Sequence, residues 1–157
     1  MEKNILDVDE VTLGEKLENV EYFERKAVYG IVINSEGKIA TIKTPRGYFL
    51  PGGGIEDGEN HEMCLKREFM EETGYEITVG NYIGRSSLYH ISKTYRYLHA
   101  IGFFYFASLN YKKNNGLEKD HELIWLDPSE CIKGLFLEHQ SWAAAKAMSI
   151  KGINYWM

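Results

Sequence analysis

From about residue 21 the chain alternates short apolar runs with clusters of turn-forming residues. Residues 27–34 (AVYGIVIN) are apolar at consecutive positions and rich in β-branched side chains, which predicts a strand buried on both faces. Ser35-Glu36-Gly37-Lys38 predicts a turn, and residues 39–43 a returning strand, so the two form a hairpin. Residues 44–58 are broken by Pro45, Gly47, Pro51, Gly52, Gly53, Gly54 and Gly58, and predict a loop. A helix follows from about residue 60 to 73. Asn60 is placed to cap it, Glu62 lies in its first turn, and Gly74 is the stop. Residues 77–88 and 95–109 read as further strands, 112–116 as a loop, and 121–126 as a last strand closed by Asp127-Pro128. The Ala-rich stretch 137–149 predicts a second helix. Residues 1–19 read as a polar lead-in and 20–157 as a single domain. Strands interleaved with two helices give an α/β class with a mixed sheet between helices.

Composition narrows the picture. A chain of 157 residues, 44% hydrophobic and 26% charged, has the makeup of one globular domain. Its net charge of -5 argues against nucleic acid as a partner, which favours a basic surface. Cys64 and Cys131 are too few for a disulfide framework and read as reduced thiols. The polar, acidic N-terminus does not read as a signal peptide, and the longest apolar run is too short for a bilayer. The expectation is a cytoplasmic protein with no membrane partner.

Much of the acidity is local. Between Glu56 and Glu72 lie seven acids against two bases, Lys66 and Arg67. At about 100° per residue, Glu68, Glu71 and Glu72 fall within one arc of the helix. Like charges at this spacing destabilise a free helix by a few tenths of a kcal/mol per pair, roughly. Two readings fit: a solvated acidic face, or hard oxygen ligands for Mg²⁺ or Mn²⁺. The preceding glycines favour the second, because they permit close backbone approach to a phosphate. No Gly-Lys-Ser/Thr follows, so this is not a Walker loop.

The residues then match a known pattern. Gly53, Glu59, Arg67, Glu68, Phe69, Glu71, Glu72, Gly74 and Tyr75 stand at the spacing of the Nudix box, G-x5-E-x7-R-E-U-x-E-E-x-G-U, where U is bulky and apolar. Phe69 and Tyr75 are aromatic where aliphatic residues are commoner. The chain therefore resembles the Nudix hydrolases. The resemblance implies an α/β/α sandwich with a mixed central sheet and a loop-helix-loop catalytic element. It implies hydrolysis of a nucleoside diphosphate linked to another moiety, by attack of a metal-activated water at phosphorus. Glu68, Glu71 and Glu72, with the carbonyl of Gly52, would be the ligands of Mg²⁺, for which Mn²⁺ can substitute. Gly53, Glu59, Arg67 and Gly74 would hold the element in shape. The general base varies in this family between a box glutamate and an acid of a later loop. Here Glu118, Asp120 and Glu122 qualify, with Glu118 preferred, while His121 reads as a strand-edge polar residue.

Specificity is expected outside the box. Lys43 and Arg46 are candidates for phosphate oxygens, and Tyr48 or Phe49 for stacking on a base or for packing. Tyr89, His90, Tyr95, Arg96 and Tyr97 sit on a hairpin rim that could line a pocket. The partner is a nucleotide-type small molecule, and the aromatic strands leave room for a homodimer. The alternative reading is a catalytically silent Nudix-like sensor of a nucleotide or metabolite. The presence of all three box carboxylates disfavours it.

Overall fold

The apolar run at residues 27–34 is enclosed from both sides in the computed structural model, which describes residues 5–152. The run begins within β2 (Phe23–Ile31) and its side chains divide between two cores. Ala27, Tyr29 and Ile31 pack with Phe104, Trp142, Ala143 and Ala147, whereas Val28 and Val32 pack with Cys64, Leu65, Phe69 and Ile77. Successive side chains of a strand point to opposite faces, so an unbroken apolar strand needs a covering layer on each.

Those layers are helices. In chain order a short 3-10 turn (Ile5–Asp7) and β1 (Glu10–Gly14) precede β2, followed by β3 (Ile39–Thr44), β4 (Gly47–Phe49) and β5 (Gly52–Gly54). Then come α1 (His61–Thr73), β6 (Tyr75–Ser92), β7 (Arg96–Lys112), β8 (Glu122–Leu126), α2 (Pro128–Gly134) and α3 (Glu138–Ile150). Five strands form the central sheet in the order β1-β6-β7-β2-β5. It is mixed: β1 with β6 and β2 with β7 are parallel, whereas β6 with β7 and β2 with β5 are antiparallel. α1 supplies Leu65 and Phe69 to one core, and α3 supplies Trp142 and its alanines to the other. The result is the expected α/β/α sandwich. A second small sheet, β4-β3-β8, holds the segment that leads into the glycine loop. Among the described residues no helix is long and apolar enough to cross a membrane.

Several elements differ from the sequence reading. The polar lead-in contains β1, an edge strand whose burial alternates because only one of its faces meets the protein. The loop at 44–58 contains β4 and β5, each three residues long. Asp127-Pro128 does more than end β8: Asp127 is the N-cap and Pro128 the first residue of α2. The expected hairpin exists at its turn, where the Asn34 side chain accepts the N–H groups of Glu36 and Lys38. The contact stops at the Ile33–Ile39 bridge and the Ala40 N–H bond to the Val32 carbonyl, however, and β3 pairs along its length with β8 and at its end with β4.

Candidate active site

α1 begins and ends as its caps dictate. The Asn60 side chain accepts the Met63 N–H at 2.8 Å, and Gly74 takes the left-handed conformation at φ 78° while donating to the Met70 carbonyl. Gly74 also has no room for a side chain, since a Cβ there would lie 1.9 Å from the Asn114 carbonyl oxygen. That close approach has a consequence for the site. The Gly74 carbonyl accepts the Lys113 N–H at 2.8 Å and the Glu71 carbonyl accepts the Leu117 N–H at 2.7 Å. The loop carrying Glu118 is thereby tied to the last turn of α1.

Arg67 joins the glycine loop to the helix. Its Nε and one terminal nitrogen donate to both Glu59 oxygens at 2.7 and 3.0 Å, and the latter nitrogen also reaches the Gly54 carbonyl at 2.9 Å. Its other terminal nitrogen donates to Glu68 at 2.9 Å and Glu71 at 3.1 Å. A planar guanidinium can serve this many oxygens at fixed angles, which an ammonium cannot. Hydrogen bonding to Arg67 lowers the Glu59 pKa to about 2, and the same bonds raise that of Arg67. Gly53 lets the second carboxylate close in, because a Cβ there would lie 2.5 Å from the Glu68 carboxyl carbon.

Glu72 is the most enclosed of the acids. One oxygen accepts the Gly52 N–H at 2.9 Å and the other meets His121 Nδ1 at 3.0 Å. The same Nδ1 lies 2.8 Å from Glu118 Oε2, so the imidazole bridges the helix and the loop. Burial drives the Glu72 pKa well up, aided by the charges of Glu68, Glu118 and Glu71, and burial likewise raises Glu68. Two groups of potential ligands result, Glu68-Glu71-Glu118 and Glu72-Glu118-His121, each with ligand atoms within 4.8 Å of one another. Crowded, partly desolvated carboxylates of this kind are relieved by a divalent cation, and a mainly oxygen donor set suits a hard one. The residues present therefore fit the metal that the box implies.

Glu72, Gly52 and Gly53 stand at the wall of a cleft of about 610 Å³. Arg46, Phe49, His90 and Tyr95 also line it, whereas Lys43 and Tyr48 do not. Tyr48 packs instead against the core beside α2, and its backbone carbonyl accepts the Phe136 N–H. Lys43 is exposed and pairs in register with Glu122 and Tyr48 across the small sheet. Of the three later acids, Glu118 joins the ligand groups, Asp120 faces the cleft, and Glu122 lies exposed on β8. His121 is not a strand-edge bystander: it precedes β8 and bridges two site carboxylates. Arg25, Tyr29 and Gln140 also line the cleft, although the sequence reading passed over them.

A mixed sheet between helices, with a glycine loop feeding an acidic helix at a cleft mouth, is the arrangement that the box resemblance implied. The NUDIX domain family model matches residues 23–147, and the chain belongs to that family. It is 30% identical over 115 residues to the CTP pyrophosphohydrolase of Escherichia coli (strain K12), covering 68% of this chain and 78% of that one. It thus stands among the Nudix pyrophosphohydrolases. Similar solved structures include a NUDIX hydrolase from Nitrosomonas europaea, at TM-score 0.67 and 16% identity over 82% of this chain and 91% of that one. A C. elegans Ap4A hydrolase matches at TM-score 0.64 and 17% identity, over 82% and 98% of the two chains.

Proposed function

We propose that the protein is a Mg²⁺-dependent pyrophosphohydrolase of a nucleoside di- or triphosphate derivative, with Mn²⁺ able to replace Mg²⁺. The observation that carries this reading is the convergence of Glu68, Glu71 and Glu72 with Glu118 beside a cleft large enough for a nucleotide. Glu68, Glu71 and Glu72, with the Gly52 carbonyl, are the proposed ligands. When bound, the cation would neutralise phosphate charge and lower the pKa of a coordinated water. The chain's own groups do the rest. Arg67 fixes the orientation of Glu68 and Glu71, and the Gly52 N–H holds one oxygen of Glu72. Glu118, held by His121 and by the loop bonds to α1, is the proposed acceptor of the water proton. Arg46 at the rim is the proposed contact for the outer phosphates. The Escherichia coli relative is named for CTP, which makes pyrimidine nucleoside triphosphates the first substrates to try.

The test is turnover of a panel of nucleoside triphosphates and diphosphate derivatives with and without Mg²⁺, followed by phosphate and pyrophosphate release. Cleavage should require the metal. Glu71→Gln and Glu72→Gln should each reduce kcat by about 10²-fold or more, the scale of several kcal/mol of charge stabilisation. Glu118→Gln should reduce it by about 10²–10⁴-fold, as loss of a general base does. Nucleotide binding without any turnover would instead make the site a sensor.

A further inference from the structure

The box supplies oxygen ligands alone, but the fold brings a ring nitrogen to the same place. His121 Nδ1 lies 3.0 Å from Glu72 Oε2 and 2.8 Å from Glu118 Oε2. The other Glu72 oxygen accepts the Gly52 N–H at 2.9 Å, which turns Oε2 toward the imidazole. One ring nitrogen carries at most one hydrogen, so a single N–H here is divided between two carboxylates. An imidazolium also leaves one of the two negative charges unbalanced, beside a Glu72 that is almost wholly buried. A dication at the same point cancels both.

The spacing suits such an ion. Ligands about 2.1 Å from a cation and at right angles to each other stand about 3.0 Å apart, by octahedral geometry. The two nitrogen–oxygen separations agree with that value, and ligand atoms of all three side chains lie within 4.8 Å of one another. A shared proton uses the same separations, so an ion can take its place with little movement of the side chains. The donor set differs from that of the neighbouring group. Glu68, Glu71 and Glu118 offer oxygen alone, as Mg²⁺ prefers, whereas Glu72, Glu118 and His121 join two carboxylates to an imidazole. Imidazole nitrogen suits first-row transition dications, with affinity rising from Mn²⁺ through Fe²⁺ to Co²⁺ and Ni²⁺. Glu118 is common to both groups, so the two positions adjoin. His121 is partly exposed and lines the cleft with Glu72, which leaves a way in for the ion.

We infer that Glu72, Glu118 and His121 form a second cation position that takes a first-row transition dication in preference to Mg²⁺, with His121 Nδ1 as its nitrogen ligand. The inference rests on the reading of the box carboxylates as a divalent-cation site, and it adds a ligand from outside the box. Ligation through Glu118 Oε2 leaves Oε1 to accept the water proton. His121 sets which cation this position selects.

The experiment measures metal binding to the whole protein without substrate. Mn²⁺-loaded wild type is studied by pulsed electron paramagnetic resonance, where hyperfine coupling to a directly bound imidazole nitrogen is expected. His121→Gln keeps a polar side chain that can bond both carboxylates but has no ring nitrogen, and the coupling should vanish. Calorimetry with Co²⁺ and with Mg²⁺ gives an affinity ratio. Wild type should favour Co²⁺, and His121→Gln should lower the ratio by about tenfold or more, since even an outer-shell partner is worth about 10–100-fold. Should the variant not fold, Mg²⁺ is titrated into Mn²⁺-loaded wild type, and the nitrogen-coupled signal should outlast the rest of the Mn²⁺ signal. No nitrogen coupling in the wild type, its persistence in His121→Gln, or its loss no later than the remaining signal overturns the inference. So does a wild type without preference for Co²⁺, or a ratio unchanged in the variant. Failure of the hydrolase reading is a separate result: no cleavage of any substrate in the panel with any of these metals.

Discussion

His139 should make the protein acid-sensitive. Its side chain is 1% exposed, set edge-on to Tyr29 and Phe104, and its Nδ1 has no partner. Burial lowers its pKa to about 3, from an ordinary value of 6.5, with a smaller contribution from His90. The folded protein therefore holds this imidazole neutral, while the unfolded chain protonates it below pH 6.5. Between those two values the unfolded state binds more protons, so stability is intact above pH 6.5 and is lost progressively as pH falls towards about 3. Each pH unit across that window costs up to about 1.4 kcal/mol. The whole interval amounts to about 4–5 kcal/mol, a large share of the ~5–15 kcal/mol that holds a domain of this size. Urea denaturation of wild type and His139→Phe at pH 7, 6, 5 and 4, followed by tryptophan fluorescence, isolates this group. Whatever the variant's stability at pH 7, wild type should lose stability faster than the variant, by about 1 kcal/mol per pH unit below 6.5. His61, His90 and His99 have pKa values lowered by burial as well, so the variant keeps some acid sensitivity. Parallel stability curves for the two proteins would refute the reasoning.

Two further outcomes follow from the geometry of the box. Arg67→Lys keeps the charge but gives up the fork that serves Glu59, Glu68, Glu71 and the Gly54 carbonyl; kcat in Mg²⁺ should fall by about 10²-fold with a smaller change in KM, as expected when aligned groups shift by about an ångström. Gly74→Ala places a Cβ against Asn114 at a left-handed position, which should lower the Tm and, by loosening the loop that carries Glu118, lower kcat; a Tm loss with kcat intact would show that the loop holds Glu118 without the α1 contact.

What was legible in the sequence is what the chain encodes within a few residues. The arc of Glu68, Glu71 and Glu72 follows from helical spacing alone, and the caps Asn60 and Gly74 announce themselves by residue type. β2 reveals its two covering layers because its apolar run does not alternate. β1 hid for the opposite reason: an edge strand with one wet face looks like polar lead-in. α2 carried a usable signal, an acidic cap before proline, but at seven residues it is too short for periodicity to register.

The site divides along the same line. Arg67 and Glu59 are eight residues apart, within reach of a motif, whereas Glu72 and His121 are separated by 49. No local spacing marks a lone histidine in a charged loop as the bridge between two carboxylates. That bridge exists only because Gly74 allows the returning chain to lie against α1. Gln140 is an intermediate case. It falls three, four and seven residues before Ala143, Ala144 and Ala147, so it stands on the buried stripe of α3. A polar residue on such a stripe needs a partner, and its carbonyl finds one in Leu50, ninety residues away. Periodicity could therefore have flagged Gln140 as an unusual buried amide, but only the folded chain shows which backbone N–H its carbonyl accepts. The carboxylate arc is written in a contiguous motif, whereas the wall of the cleft is written in residues that meet only after folding. For this reason a sequence of this kind declares its reaction more readily than its substrate.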